Sequence, residues 1–346
     1  MINLKKTGLT ALAGSLVAFS ANAVELGVTG GSEITYTTNN GSETSTGNPF
    51  GAATSMKFSG SGDVGFGTAT IVRTLRDNQS AASYSSAYTT LDLGDMGVLS
   101  FDTTGGGLVG TAANDDLLPS AYEEVWHSVG STANGTTGIA AKNVLGYRGT
   151  FAGVNLSVGY SKANNAAGGS GDGSVTGVGS NGSTMDWHLS TTVPYVEGLT
   201  LAGGVAHTDS AALNADLLSD TLDTKSWTGH LLYTSGATSM GYRRAESQVG
   251  TTAGAGNNAE AYSIAYNVND SLTVSYAEQD LEYDKLRVGI LTATKDLTET
   301  ENVKAFNAAY TIGAATVRGT LSTADNAGGV TGIKDEHMEV SLVLAF

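Results

Sequence analysis

The chain has 346 residues, no cysteine, and 33 acidic against 17 basic side chains, which gives a formal net charge of −16. This acidic excess excludes nucleic acid as an expected partner, because phosphate binding requires Lys and Arg. The lack of cysteine excludes a disulfide framework and thiolate chemistry. Glycine, with 47 residues, is far above its usual share of about 7%, and only three prolines occur.

The N-terminus has the pattern of a secretory signal peptide. Two lysines are followed by an apolar stretch (7–19) and by the small residues of a cleavage site that ends at Ala23. The stretch is too short for a membrane anchor, which needs about 20 apolar residues. We therefore expect residues 1–23 to be removed and residues 24–346 to form one exported domain.

Apolar and polar residues alternate along the exported part of the chain. In the segment 337–346 every even position is apolar, and nearly every odd position is polar or small. The same period of two recurs in 154–160, 185–189 and 271–276. This period is typical of β-strands with one apolar face.

Breaks in this alternation divide the exported part into sixteen predicted strands. In chain order they cover 24–37, 53–60, 65–75, 84–93, 97–102, 138–151, 153–162, 184–193, 199–208, 224–233, 237–248, 258–267, 271–280, 301–311, 314–323 and 336–346. Short turns and longer polar connections follow one another in strict alternation, and all three prolines fall in connections. This arrangement is typical of an outer-membrane barrel.

A lipid-facing sheet has no free edge, because every backbone polar group in hydrocarbon needs a partner. The first strand after Ala23 is therefore predicted to pair with the last, which ends at Phe346. The predicted fold class is all-β, a 16-stranded antiparallel transmembrane β-barrel with a water-filled lumen. Tyr and Trp near the strand ends are expected to form interfacial girdles.

The long connection 103–137 has structural signals of its own. Ser120-x-x-Glu123 after Pro119 predicts a capped helix that runs to about Ser128. An apolar face with two aromatic residues on that helix favours a loop folded into the barrel, against the inner wall. The alternative is an outer cap that packs on neighbouring loops.

Three segments resemble the general bacterial porins: Gly94–Phe101, Asn143–Val154 and the last strand, which ends in Phe346. The resemblance implies an outer-membrane homotrimer that contacts outer-membrane lipid. Its third loop would fold inward and set acidic residues against a wall of arginines, in a pore through which small polar solutes and ions diffuse passively. It also implies that the barrel-assembly machinery recognises Phe346.

The family's constriction is carried onto this chain residue by residue. The loop acids would be Asp115, Asp116, Glu123 and Glu124. The wall cations would be Arg148, which matches the family motif, together with Arg318, Arg243, Lys57 and Arg73. Arg73 is the least regular of these, because it shares its parity with apolar neighbours. Asp102 stands where the family has an arginine. Together with the four loop acids and the acidic net charge, it predicts a mild cation preference.

Other functions are less consistent with this sequence. The five histidines include no convincing ligand pair, so no metal and no cofactor is expected, and no nucleophile is evident for an enzyme. A substrate-specific channel would line its path with aromatic residues, whereas most aromatics here share the apolar parity. A surface β protein or adhesin without a channel is the remaining alternative.

Overall fold

The computed structural model describes residues 25–41, 46–77, 83–104, 117–130, 143–161, 181–210, 223–248, 256–283 and 299–345. The predicted signal peptide, Asp115, Asp116 and Phe346 lie outside these residues. Within them, no helix has the length and apolar character needed to cross a membrane.

Sixteen strands make up the described part of the chain, and each predicted strand overlaps one of them. Their bounds are β1 Glu25–Gly41, β2 Phe50–Asp63, β3 Thr68–Asp77, β4 Ser83–Asp92, β5 Val98–Thr104, β6 Val144–Phe151, β7 Val154–Ser161, β8 Asn181–Thr192, β9 Leu199–Ser210, β10 Thr224–Ser235, β11 Thr238–Gln248, β12 Asn257–Asn267, β13 Leu272–Tyr283, β14 Glu301–Ile312, β15 Ala315–Asp325 and β16 Lys334–Ala345.

The strands form one closed antiparallel barrel in which each strand pairs with its neighbours along the chain. The predicted closure is confirmed: β1 pairs with β16 from Gly31 opposite Ala345 to Gly41 opposite Asp335. Closure gives the backbone N–H and C=O groups of both terminal strands their partners, as a sheet in hydrocarbon requires.

Large apolar side chains lie on the outside of the barrel. Leu26, Val28, Leu145, Leu189 and Leu321 are 44% or more exposed, as are many others at the same parity. The inside carries polar and small side chains, and many of these are buried: Ser100, Asp186, Arg243, Gln279, Glu301, Asn307 and Thr320. The apolar rows therefore point outward, as in a barrel that crosses a membrane.

Short turns connect the strands at one end of the barrel, as predicted. Two of them use a glycine with a left-handed backbone, Gly236 with φ of 57° and Gly313 with φ of 60°. Exposed aromatic residues cluster near this end: Phe66, Phe151, Tyr195, Tyr266 and Tyr310. The long connections leave from the opposite end.

Candidate pore constriction

The segment 117–130, part of the third long connection, lies against the inner wall of the barrel. The backbone N–H of Ala121 donates to Ser275 Oγ on β13 at 2.8 Å. The side-chain amide of Asn307 on β14 donates to the carbonyl of Glu123 at 3.1 Å. Both wall residues belong to the inward-facing parity of their strands, so the predicted inward folding of this loop is confirmed.

Three apolar side chains of the segment are buried against this wall. Val125 is 2% exposed, Trp126 9% and Val129 1%. They pack in one cluster with four wall residues, Ala277, Val303, Ala305 and Ala324, and with Ala327 in the connection between β15 and β16. Burial of a valine side chain contributes about 1.5–3 kcal/mol, so this apolar patch is a main source of docking energy inside an otherwise polar lumen.

The predicted capped helix is wrong: residues 117–130 form turns and bends. Ser120 Oγ accepts from the N–H of Tyr122 at 3.2 Å and donates to the carbonyl of Glu123 at 2.8 Å. The amide of Asn307 donates to the same two oxygens, at 3.2 and 3.1 Å. A helix this short is marginal by itself, and hydrogen bonds to the wall replace its internal ones.

Tyr122 connects the segment to the strands that close the barrel. Its hydroxyl donates to Glu339 on β16 and approaches Glu33 Oε1 on β1 at 3.4 Å. Arg318 on β15 donates to the same Glu33 oxygen at 2.7 Å. Burial and the hydrogen bond to Glu339 raise the pKa of Tyr122, so the phenol stays protonated as a donor.

The wall arginines Arg318 and Arg243 have the inward parity that was predicted, but they lie beneath the loop. The guanidinium carbon of Arg318 is 4.3 Å from the centroid of the Tyr122 ring. That of Arg243, which is fully buried, is 5.1 Å from the Trp126 ring. Each cation packs on an aromatic face of the segment. These two arginines therefore hold the loop to the wall and do not face it across the opening.

Two of the predicted loop acids, Glu123 and Glu124, belong to the described segment. Glu123 Oε2 is 3.1 Å from His127 Nδ1, four residues later. Glu124 is exposed. Burial raises the pKa of Glu123, and the charges of Glu124 and Glu339 add to that effect while His127 opposes it.

Arg148 is an exposed side chain on the inner face of β6, opposite Val98 and Ser157 in the sheet register. In the closed order, β6 lies eight strands from β14, so Arg148 is on the wall facing the one that carries the loop. Lys57 is on the inner face of β2. Asp102 is on the inner face of β5 and is 4% exposed.

Arg73 does not line the lumen. Its Cα pairs with Phe58 of β2, whose side chain is on the outer surface, and it shares the parity of the exposed Ile71. Its guanidinium donates to the carbonyls of Val72 at 2.8 Å and Tyr88 at 3.3 Å. The alternation of β3 therefore places Arg73 on the outer surface despite its charge. The prediction that Arg73 lines the pore is wrong.

Sequence reasoning missed the acids that receive the loop, Glu33 and Glu339. Each has inward parity, next to Ile34 and Val340 on the outer face. The strand alternation was therefore sufficient to place both inside, and the predicted closure of β1 on β16 brings their strands together.

Comparison with protein-family models gives no match, and comparison with curated proteins gives none. Solved structures do match over nearly the whole chain. OmpF of Salmonella typhi, in a complex with daunomycin, has a TM-score of 0.69 at 12% identity, covering 93% of this chain and 97% of that one. The chain has the fold of the general bacterial porins.

Two further porin-fold structures match at similar coverage. OmpT of Vibrio cholerae has a TM-score of 0.61 at 13% identity, covering 95% of this chain and 99% of that one. A mutant of the Rh. blastica porin has a TM-score of 0.61 at 11% identity, covering 93% of this chain and 100% of that one. At such low identity the similarity establishes the porin fold, and the function of this chain has to be argued from its own residues.

Proposed function

We propose that this protein is a bacterial outer-membrane porin, through which small hydrophilic solutes and ions diffuse passively. The observation that supports the proposal best is the segment 117–130, which is docked inside a closed barrel with a polar inner face. Tyr122 bonds it to Glu339, and the buried side chains of Val125, Trp126 and Val129 pack it against the wall. Sixteen strands enclose a lumen too wide for side chains to fill, so it holds water. We infer that the docked segment on one wall narrows this lumen. The proposed activity requires no catalytic group.

Selectivity follows from charges on two facing walls. Glu123 and Glu124 are on the loop side, and Arg148 is on the wall eight strands away. Charges of opposite sign across a narrow aqueous opening orient water and polar solutes, and they disfavour apolar ones. The net charge of −16 and the inward Asp102 favour mild cation preference. Screening over about 8–10 Å at physiological salt keeps the preference modest.

Single-channel recording on the refolded protein tests the proposal. Deletion of residues 112–128 removes most of the docked segment, and we expect a clear rise in conductance. A deletion of equal length in the connection between β7 and β8, within residues 162–180, is the matched control and should leave conductance nearly unchanged. Absence of channels in the wild type, or equal conductance with and without 112–128, would contradict a pore narrowed by this loop.

We further propose that the chain forms a homotrimer through the outer face that carries Arg73. This arginine lies midway along β3, between the apolar Ile71 and Leu75. A lipid-facing arginine costs about 2–4 kcal/mol near the bilayer midplane, and contact with a neighbouring subunit would avoid much of this cost.

Chemical cross-linking in detergent tests the trimer. Arg73→Glu should convert cross-linked trimers to monomers. The control is Arg244→Glu on the outer face of β11, eight strands away from β3, which should leave trimers intact. Monomeric wild-type protein would contradict the proposal.

We propose that residues 1–23 are cleaved on export and that the barrel-assembly machinery recognises Phe346. N-terminal sequencing of the membrane form should begin at Val24. Removal of Phe346 should lower the amount of assembled barrel without changing the conductance of the fraction that assembles.

A further inference from the structure

Two histidines far apart in the sequence meet where the docked segment touches the wall. His127 belongs to the segment and His337 to β16, and their ring centroids are 5.5 Å apart. Together with Glu339, also on β16, they offer three ligand atoms that lie within 4.8 Å of one another. Tyr122 donates to the other oxygen of Glu339, which keeps this carboxylate directed at the segment.

A hydrogen bond to Asn39 on the neighbouring strand β1 orients the ring of His337. Its Nδ1 is 2.6 Å from Asn39 Oδ1, the acceptor on β1. Its Nε2 is buried and makes no hydrogen bond to any residue that the structure describes, and its closest anionic neighbour is Glu339 Oε2 at 4.0 Å. His337 is only 3% exposed. A buried polar atom without a hydrogen bond costs about 1–3 kcal/mol of stability. A ligand bound to His337 Nε2 would offset this cost.

His127 is held in the same way. Glu123 Oε2 accepts from its Nδ1 at 3.1 Å, which leaves Nε2 as the ring's remaining ligand atom. In metal sites, a ligating histidine usually donates its other ring N–H to a carboxylate or carbonyl oxygen, which fixes the tautomer and orientation. Asn39 and Glu123 supply this partner to the two rings before any ion is bound.

We propose that His127, His337 and Glu339 form a binding site for a divalent transition-metal ion of the zinc class. Two imidazoles and one carboxylate are a ligand set that Zn²⁺ accepts, with bonds of about 2.0–2.2 Å and a water molecule as the fourth ligand. The His127 side chain is 33% exposed, so an ion can reach the site from the lumen.

Binding of the ion would join the loop to the wall. Ligand atoms around a tetrahedral zinc ion lie about 3.3 Å apart, closer than the 4.0 Å between His337 and Glu339. The ion would therefore bring the ligand atoms of His337 and Glu339 closer together, and its bond to His127 would fix the segment to β16. The site itself follows from the geometry alone, whereas its effect on conductance also rests on the proposed pore function.

Calorimetric titration of the refolded, untagged protein in detergent with zinc chloride tests the site. We expect one ion per chain in the wild type and loss of that binding in His127→Ala and His337→Ala. His207→Ala is the matched control, because it removes a histidine near the rim outside the cluster, and it should bind zinc like the wild type. Circular dichroism checks that each variant forms the barrel, and His127, in a loop, is the safer substitution.

Two further measurements separate ligation from a structural role. Cobalt(II) in place of zinc should give the visible absorption of a tetrahedral site in the wild type and not in His127→Ala. Glu123→Gln should weaken zinc binding by about 10–100-fold, the usual effect of an outer partner. Binding should also weaken on acidification, because the imidazoles must be neutral to act as ligands.

The outcomes are distinct for the site and for the pore. Absence of zinc binding in the wild type, or equal binding in His127→Ala, overturns the site whether or not the protein conducts ions. Stoichiometric zinc binding that both histidine variants lose establishes the site, even if the protein forms no channels. Absence of channels would overturn the proposed pore function and leave the zinc site standing. In a conducting protein, zinc should quieten current fluctuations of the wild type and leave those of His127→Ala unchanged.

Discussion

The guanidinium of Arg318 covers the ring of Tyr122, with its central carbon 4.3 Å from the ring centroid. The same guanidinium donates to Glu33 on β1 at 2.7 Å and to Ser341 on β16 at 3.2 Å. One side chain of β15 therefore joins the loop to both strands at the seam of the barrel. A cation–π contact such as that between Arg318 and Tyr122 contributes about 0.5–2 kcal/mol, and the larger value applies when the contact is shielded from water.

Tyr122 should control how firmly the loop is held. Tyr122→Phe keeps the ring over Arg318 and loses the hydroxyl that donates to Glu339, so we expect a small rise in conductance and in its fluctuations. Tyr122→Ala loses both contacts and should give a larger rise. Tyr195→Ala, at an exposed turn position, is the control. Equal conductance of wild type and Tyr122→Ala in single-channel recordings would contradict this role.

The apolar patch beneath the loop should set its docking energy. Val125→Ala removes two buried methyl groups, which corresponds to about 1.6 kcal/mol at the usual value per buried carbon. We expect faster limited proteolysis within 117–130 and no change in the stability of the barrel. Val205→Ala, on the outer face with 53% exposure, is the matched control. Unchanged cleavage in Val125→Ala would show that the polar contacts alone hold the segment.

Arg148 should weaken cation preference in the wild type, because it places positive charge on the wall that faces the loop. Arg148→Glu reverses that charge, and reversal potentials in a salt gradient across a planar bilayer should shift toward stronger cation preference. Arg244→Glu makes the same change on the outer face and should have little effect. The difference between the two variants should shrink at 1 M salt, where the screening length is about 3 Å.

The sixteen strands, their order and their closure could be predicted from the sequence, because strand alternation is a local signal and closure is a physical necessity in hydrocarbon. Alternation also placed Arg318, Arg243 and Lys57 on the inner face. The same alternation placed Arg73 on the outer surface with its apolar neighbours, whereas its charge alone suggested the lumen.

The contacts of the constriction could not be read from local pattern. The Ser120 motif predicts a helix only if the hydrogen bonds of the segment are made within it. Instead, the side-chain amide of Asn307, far along the chain, donates to Ser120 Oγ and to the carbonyl of Glu123. The meeting of His127 with His337 likewise depends on where the loop docks, which no nearby residue specifies. Long-range contacts of this kind decide which inward residues act together.

Glu123 should make the loop respond to pH. Burial raises the pKa of its carboxyl, so the docked loop binds the proton more tightly than an undocked loop does. This contribution to docking is complete below the ordinary glutamate pKa and is lost as the pH rises through the raised pKa. Acidification from neutral pH should therefore tighten docking and lower cation preference, beginning at a higher pH than for an ordinary glutamate.

The neighbouring charged groups that act on this carboxyl are His127, Glu124 and Glu339. Glu123→Gln removes the titrating group and should flatten the change in reversal potential over the upper part of the acid range. Glu124→Gln removes an exposed neighbouring carboxyl whose charge adds to the raised pKa of Glu123, so the response should persist and begin at a somewhat lower pH than in the wild type. If Glu123→Gln shows the wild-type pH profile, another group is responsible, and burial of Glu123 in the docked loop has no part in ion selectivity.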